Sequence, residues 1–362
     1  MKRKFQKKYI GNGGCRMKKR RIFRNLNDKE FAWVLYDVGN SAYTMLACAL
    51  IPIWFKAMAI GTRPGQLTSD QATAYYSMAI AVITIVVALL GPVCGAISDH
   101  KGMKKIFFTT TVAVGVSGCI LNGFAYQWIA FLLLFAVTKV FYNMSLMFYD
   151  SMLNDITTEE RMDEVSSYGF AWGYLGSCIP FLIALVAYVL GPDMAGMIPG
   201  RVSMAIGFAV TGLWWLLVTI PLMKNYKQLN YVEHQGHAVG NAFRKIFQTV
   251  KFIATEDKKV FFFLIAFFLY IDGVGTIIDN CINIGTDLNL STVGQVICLL
   301  ATQVVAFGGS LVFAKLSKKY DTVRLILVCI VGYFAVCLYA LTLKNLLGFS
   351  FLAFGVGSVS YT

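Results

Sequence analysis

FAWVLYDVGNSAYTMLACALIPIWFKAMA, residues Phe31 to Ala59, is a continuous apolar run with a carboxylate inside it. A helix rises about 1.5 Å per residue, so about 20 residues cover a hydrocarbon core of about 30 Å, and this run is long enough to cross a bilayer. A carboxylate at the centre of such a span costs about 2.5 to 3.5 kcal/mol on insertion scales, so it persists where it faces a cavity or a partner. The remaining sequence indicates what Asp37 faces.

Hydrophobic residues make up 57% of the 362 and charged residues only 14%, which is the composition of a polytopic membrane protein and not of a soluble domain. The formal net charge of +13 would suggest nucleic acid in a soluble chain. Here the Lys and Arg side chains sit in the short segments between apolar runs, so the charge is a topology signal and no nucleic-acid partner is expected. Nine cysteines fall mostly inside apolar runs without a CxxC pair or ligand spacing, and read as small buried hydrophobes with no metal site. The basic leader before Arg21 is not followed by a short apolar core with a small-residue cleavage site, so the first span is expected to be an uncleaved start. Met17, directly before KKRR, is an alternative first residue to Met1.

Ten apolar spans are predicted, at roughly 31–59, 72–98, 106–126, 128–150, 164–190, 202–223, 259–283, 293–315, 323–343 and 346 to the end. Strands of a membrane barrel would alternate apolar and polar residues over about ten positions, so these unbroken runs predict helices. With the N-terminus inside, 27 of the 32 Lys and Arg residues fall in inner segments, which meets the positive-inside rule. The chain divides into a basic cytoplasmic segment (1–30), a six-helix bundle (31–223), a cytoplasmic linker (224–257) and a second bundle (258–362). Within the linker Phe243, Ile246, Phe247 and Val250 recur at helical spacing beside Arg244, Lys245 and Lys251, which suits a short helix on the inner leaflet or a solvated connector. The second bundle reaches about four helices before Thr362, inside an apolar run, so a two-half architecture would require two more.

Away from span ends, ionisable side chains occur in spans one, four and seven. In span one, Asp37, Asn40, Ser41, Thr44 and Cys48 share one helical face at i, i+3, i+4, i+7 and i+11. In span four, Lys139, Tyr142, Asn143 and Asp150 do the same; in span seven, Asp272, Thr276, Asp279, Asn280 and Asn283. Lipid cannot be what three polar stripes face. For the Asn, Ser and Thr positions a hydrogen bond to a neighbouring helix is the competing reading. Asp150 at the inner end suits a solvated or gating charge, and Asp279 an interfacial one. Gly169, Gly173 and Gly176 in span five form a small-xxx-small run whose expected role is close helix approach.

Between spans two and three the chain reads GAISDHKGMKK, Gly95 to Lys105. This resembles the signature of the major facilitator superfamily: Gly95, the loop acid Asp99, the second glycine Gly102 and the basic Lys104, with His100 and Met103 where arginines are usual. The matching place in the second half, AKLSKKYDTVR from Ala314 to Arg324, resembles a degenerate copy with Lys318 where the acid would be. WVLYDVGNSAYT and VSSYGFAWGYLGS are similar to the branch containing the fungal vacuolar amino-acid effluxers, of autophagy-related Atg type, and their bacterial relatives. The resemblance implies an all-α polytopic membrane protein of the major facilitator fold, two six-helix bundles with the second truncated after about four helices. It also implies a central cavity lined by helices one, four, seven and ten.

A secondary transporter working by alternating access is therefore expected, exporting a small solute such as an amino acid from a bacterial plasma membrane, as a monomer. The expected substrate or coupling residues are Asp37, Asn40, Ser41, Thr44, Lys139, Tyr142, Asn143, Asp272 and Thr276. Lys139 would receive a substrate carboxylate and Asp37 or Asp272 an ammonium; either acid could instead carry a coupling proton, or Asp37 could pair with Lys139. Gly95, Asp99, Gly102 and Lys104 would form the gating loop. No cofactor is expected. The alternatives are a sugar or drug exporter of the same superfamily, or a membrane-embedded enzyme. The enzyme should place His or clustered acids at one membrane depth, whereas His100, His234, His237 and the acids from Asp155 to Glu164 read as cytoplasmic.

Overall fold

The computed structural model describes residues 26–192, 195–232, 248–288 and 290–359, without the side chains of Asp279, Asn283, Asp287 and Thr322. Long apolar stretches without internal polar partners satisfy their backbone only by closing it on itself, and ten helices result. They are α1 (Asp28–Ala59), α2 (Ser69–Ser98), α3 (Met103–Asn122), α4 (Trp128–Ile156), α5 (Met162–Val189), α6 (Gly200–Asn225), α7 (Lys258–Asp287), α8 (Thr292–Leu316), α9 (Thr322–Ala340) and α10 (Leu346–Val359). Among the described residues, nine are long and apolar enough to cross a membrane, and α10 is a shorter apolar helix. Each predicted span has its helix.

The ends follow local chemistry. Asn27 begins α1 with a reciprocal cap, its side chain accepting from the Lys29 and Glu30 amides while its own amide donates to Glu30 Oε2 at 2.8 Å. Thr68 and Gln71 do the same for α2. Gly102 opens α3 at φ +78°, a left-handed conformation that costs a residue with a Cβ about 1–2 kcal/mol.

Helix α1 is the axis of the first six. It packs along α5 and α6 and crosses α2 and α4, while α3 packs on α4 and α6. Its aromatic residues knit the group: Trp33 stacks on Tyr149 with ring centroids 4.2 Å apart, and Tyr36 donates to or accepts from Ser145 Oγ at 2.7 Å. The later helices meet this group along two seams, α5 with α8 and α1 with α7. Between the groups, 226–232 is an ordered strap and 248–256 is helical, its Val250 and Ile253 bordering an apolar groove with Phe261, Leu264 and Phe268 of α7. Val250 and Lys251 of the expected surface helix belong to that segment. Phe243, Arg244, Lys245, Ile246 and Phe247, together with His234 and His237, lie outside the described residues.

Candidate functional site

A cavity of about 270 Å³ opens where the two groups of helices face one another. From α1 it is lined by Asp37, Asn40, Ser41, Thr44, Met45 and Cys48. All five residues of the α1 polar stripe are thus on one wall, as helical periodicity requires. Asp37 is buried, and Asn40 Nδ2 donates to its Oδ1 at 3.2 Å. Helix α5 closes behind it without side chains. A Cβ on Gly169 would stand 3.2 Å from Asp37 Oδ2, one on Gly173 would stand 2.8 Å from Ser41 Oγ, and one on Gly176 would overlap Val38. The three glycines are therefore a packing device, as their spacing predicts, and they set the depth at which Asp37 lies.

Helix α4 contributes Tyr142 and Leu146. The Tyr142 hydroxyl shares a hydrogen bond with Thr44 Oγ1, which ties α4 to α1 across the cavity wall. Lys139 is buried but is not part of the lining; its ammonium stands 5.9 Å from the centre of the Tyr142 ring. Asn143 is half-buried and also outside the lining, and Asp150 is exposed within α4, which runs on to Ile156.

Helix α7 differs from the sequence expectation. It presents Ile277, Ile278 and Cys281 to the cavity, whereas Asp272 and Thr276 are exposed and away from it. Asp272 and Cys281 are nine residues apart, about two and a half helical turns, and so lie on opposite faces. The polar stripe and the cavity wall are two different sides of one helix. Thr276 returns its hydroxyl to the Asp272 carbonyl at 2.8 Å, and Asn280 donates to the Thr276 carbonyl, so that stripe is in part satisfied along its own helix. The side chains of Asp279 and Asn283 lie outside the described set.

Two contributions depart from the sequence expectation, Phe170 and Tyr174 from α5 and Leu299, Thr302, Gln303 and Ala306 from α8, while α10 supplies Phe349, Leu352, Ala353 and Val356. The helices one, four, seven and ten implied by the resemblance are all present, joined by five and eight. Thr302 and Gln303 had a signal, being an uncharged polar pair in mid-span, but attention to ionisable groups passes over them. Among the described residues, Asp37 is the one carboxylate on the lining, and no Lys, Arg or His is there.

Three of the four predicted gating residues, Asp99, Gly102 and Lys104, lie together at the end of the helices that carries the α2–α3 turn. Lys104 Nζ lies 3.5 Å from Asp99 Oδ1 and donates to the Ser151 carbonyl of α4 at 3.4 Å. Gly95 stands apart on α2, facing Met147 of α4. The strap 226–232 holds this turn. Gln228 Oε1 accepts from the Gly102 amide at 3.0 Å, Gln228 Nε2 donates to the Ser98 carbonyl at 3.2 Å, and the Val232 amide donates to the Asp99 carbonyl at 2.8 Å. Asp155 anchors the strap. Of the acids that read as cytoplasmic, a solvated loop or a gate, this one is 4% exposed and accepts from the Tyr226 hydroxyl and from the amides of Leu229 and Asn230 at 3.2 and 2.8 Å. Burial, with the Asp155 carboxylate beside it, pushes the Tyr226 phenol well above its ordinary range, so Tyr226 stays the donor. At the same end Arg161 pairs with the buried Glu30 at 3.1 Å, and Lys318 reaches from the α8–α9 turn to Glu164 of α5 at 2.8 Å.

Comparison with known proteins gives three consistent results. The family model described as "Vacuole effluxer Atg22 like" matches residues 27–358. An uncharacterized MFS-type transporter, YxiO of Bacillus subtilis, is 38% identical over 337 residues, 92% of this chain and 77% of that protein. Autophagy-related protein 22-2 of Penicillium rubens is 26% identical over 49% of this chain and 32% of its own length. Among solved structures, the xylose transporter XylE from E. coli in a partially occluded inward-open conformation is similar with a TM-score of 0.57 at 13% identity, covering 92% of this chain and 85% of that one. A second structure of XylE, as a proton:xylose symporter with a bromodeoxyglucose bound, gives 0.60 at 13% identity, over 92% and 81%.

Proposed function

The chain belongs to the family of Atg22-like vacuole effluxers and has the major facilitator fold, and from that premise we propose that it exports a small solute across a membrane by alternating access, amino acids being the first class to test. The observation that carries this reading is the cavity between the two helix groups, with the whole α1 polar stripe on its wall. Rocking of one group against the other about such a site exposes it to each side in turn. The family description names efflux from a vacuole, and efflux is on that ground the direction to test first. The distribution of Lys and Arg supports an N-terminus in the cytoplasm, and the Bacillus relative supports a bacterial plasma membrane. On this reading the two groups are the two bundles, the chain works as a monomer, and Asp37 is the residue placed to hold a substrate nitrogen or a coupling proton.

Export of amphipathic drugs is the second reading, favoured by the four aromatic residues on the lining, Tyr142, Phe170, Tyr174 and Phe349. Counterflow of labelled solutes by purified protein in liposomes separates the two. Amino-acid counterflow that falls at least about tenfold in Asp37→Asn is the expected result, a loss of about 1.4 kcal/mol or more. Counterflow unchanged in that variant removes the site, and accumulation of none of the amino acids removes that substrate class.

A further inference from the structure

Resting on the transporter reading above, we infer that the cavity selects its substrate through one cationic nitrogen on an apolar body, and that a carboxylate on the substrate is dispensable. The charge inventory of the wall carries this. Asp37 offers a carboxylate with one oxygen held by Asn40. Lys139, the group that would answer a substrate carboxylate, is not on the lining, its ammonium standing 5.9 Å from the centre of the Tyr142 ring.

A substrate ammonium entering here finds the Asp37 carboxylate as its counter-charge, on a lining that also includes the Tyr142 and Tyr174 side chains. A substrate carboxylate entering the same space finds hydroxyls and amides at most. Two of those, Thr44 and Tyr142, are engaged with each other. Removing an ion from water without a counter-charge is strongly unfavourable, so the acid end gains little and costs much. Much of the remaining wall is aliphatic, with Leu146, Ile277, Ile278, Leu299 and Leu352 suiting a branched hydrocarbon, and its other polar members, Thr302 and Gln303, are uncharged. A volume of about 270 Å³ holds one small molecule of that kind.

Three ligands of one shape test it: leucine, isopentylamine, which lacks only the carboxylate, and 4-methylpentanoate, which lacks only the ammonium. Each is titrated into the purified full chain by calorimetry and offered as a counterflow substrate in liposomes. Isopentylamine should bind at least as tightly as leucine, and 4-methylpentanoate at least about 100-fold more weakly, the size expected for an uncompensated buried charge. Asp37→Asn should weaken isopentylamine at least about tenfold, and Asp37→Glu, which keeps the charge, should keep the amine preference. Gel-filtration profiles of both variants check that they fold.

Equal binding of the acid and the amine overturns the inference, as does leucine binding more than about tenfold tighter than isopentylamine, or a folded Asp37→Asn that binds the amine unchanged. No binding of any of the three overturns it as well. The two readings fail separately. Amine-selective binding with no counterflow sinks transport and leaves the selectivity standing, and counterflow of solutes without amine preference does the reverse.

Discussion

At the scale of single residues, the decisive feature is an absence of side chains opposite a charge. Asp37 reaches the cavity at its particular depth because Gly169 and Gly173 let the α5 backbone lie against α1. Small residues at a membrane helix interface work by admitting close approach, since lipid tails supply no hydrophobic drive between helices. A methyl group at Gly173 would meet Ser41 Oγ at 2.8 Å and the Asp37 carbonyl at 3.3 Å. Gly173→Ala should therefore cost about 1–3 kcal/mol through overpacking, seen as a lower midpoint of thermal unfolding in detergent. Because the displaced atoms include Asp37, the same variant should weaken substrate binding; a variant that unfolds earlier yet binds unchanged would detach the glycine from the site.

At the scale of elements, one helix and one strap take roles that their local sequence does not show. Helix α7 has a readable polar stripe, but its apolar side meets α1 and α8, so the cavity wall is built from Ile277, Ile278 and Cys281. The strap 226–232 has no pattern at all, yet it is fastened by Asp155 and Gln228 to the turn that carries Asp99 and Lys104. Replacing the anchor takes an acceptor from four donors, the Tyr226 hydroxyl, the Leu229 and Asn230 amides and Asn230 Nδ2, at about 1–3 kcal/mol for each one that stays buried and unpaired, unless the strap lifts into water. Asp155→Ala should release the strap while the helices hold. Hydrogen exchange at the Leu229, Asn230 and Val232 amides should accelerate at least about tenfold, with the amides of α1 to α6 unaffected. Exchange that speeds up throughout α4 and α6 would instead make Asp155 a general support of the bundle.

At the scale of the whole molecule, the two helix groups share the α5–α8 and α1–α7 seams and the ion pair of Glu164 with Lys318. Lys318 stands where the first half carries an acid, and the inversion of charge lets the second group address an acid of the first. The pair is partly exposed, so it contributes about 0–1 kcal/mol, too little to hold the fold but enough to bias two conformations of similar energy. Glu164→Lys should shift the counterflow rate by a few-fold with little change in unfolding, and Glu164→Lys combined with Lys318→Glu should return it toward wild type. A double variant no better than the single one would show that the pair does not couple the groups.

Sequence alone determined the ten apolar helices found among the described residues, their limits to within several residues, the family resemblance and the α1 stripe. These depend on hydropathy and on a 3.6-residue period, which are properties of neighbouring residues. Asp37, Asn40, Ser41 and Thr44 were legible because α1 is surrounded, so that its polar face can only point inward. Tertiary structure decided the rest: that Lys139 is off the lining while Tyr142 is on it, that α7 shows the cavity its apolar face, that α5 and α8 complete the wall, and that Asp155 is an anchor. A buried carboxylate and a solvated one are spelled alike, and what distinguishes Asp155 is a tyrosine 71 residues further along the chain. Which side of a helix becomes the wall depends on the helices that arrive beside it, and that information is not local.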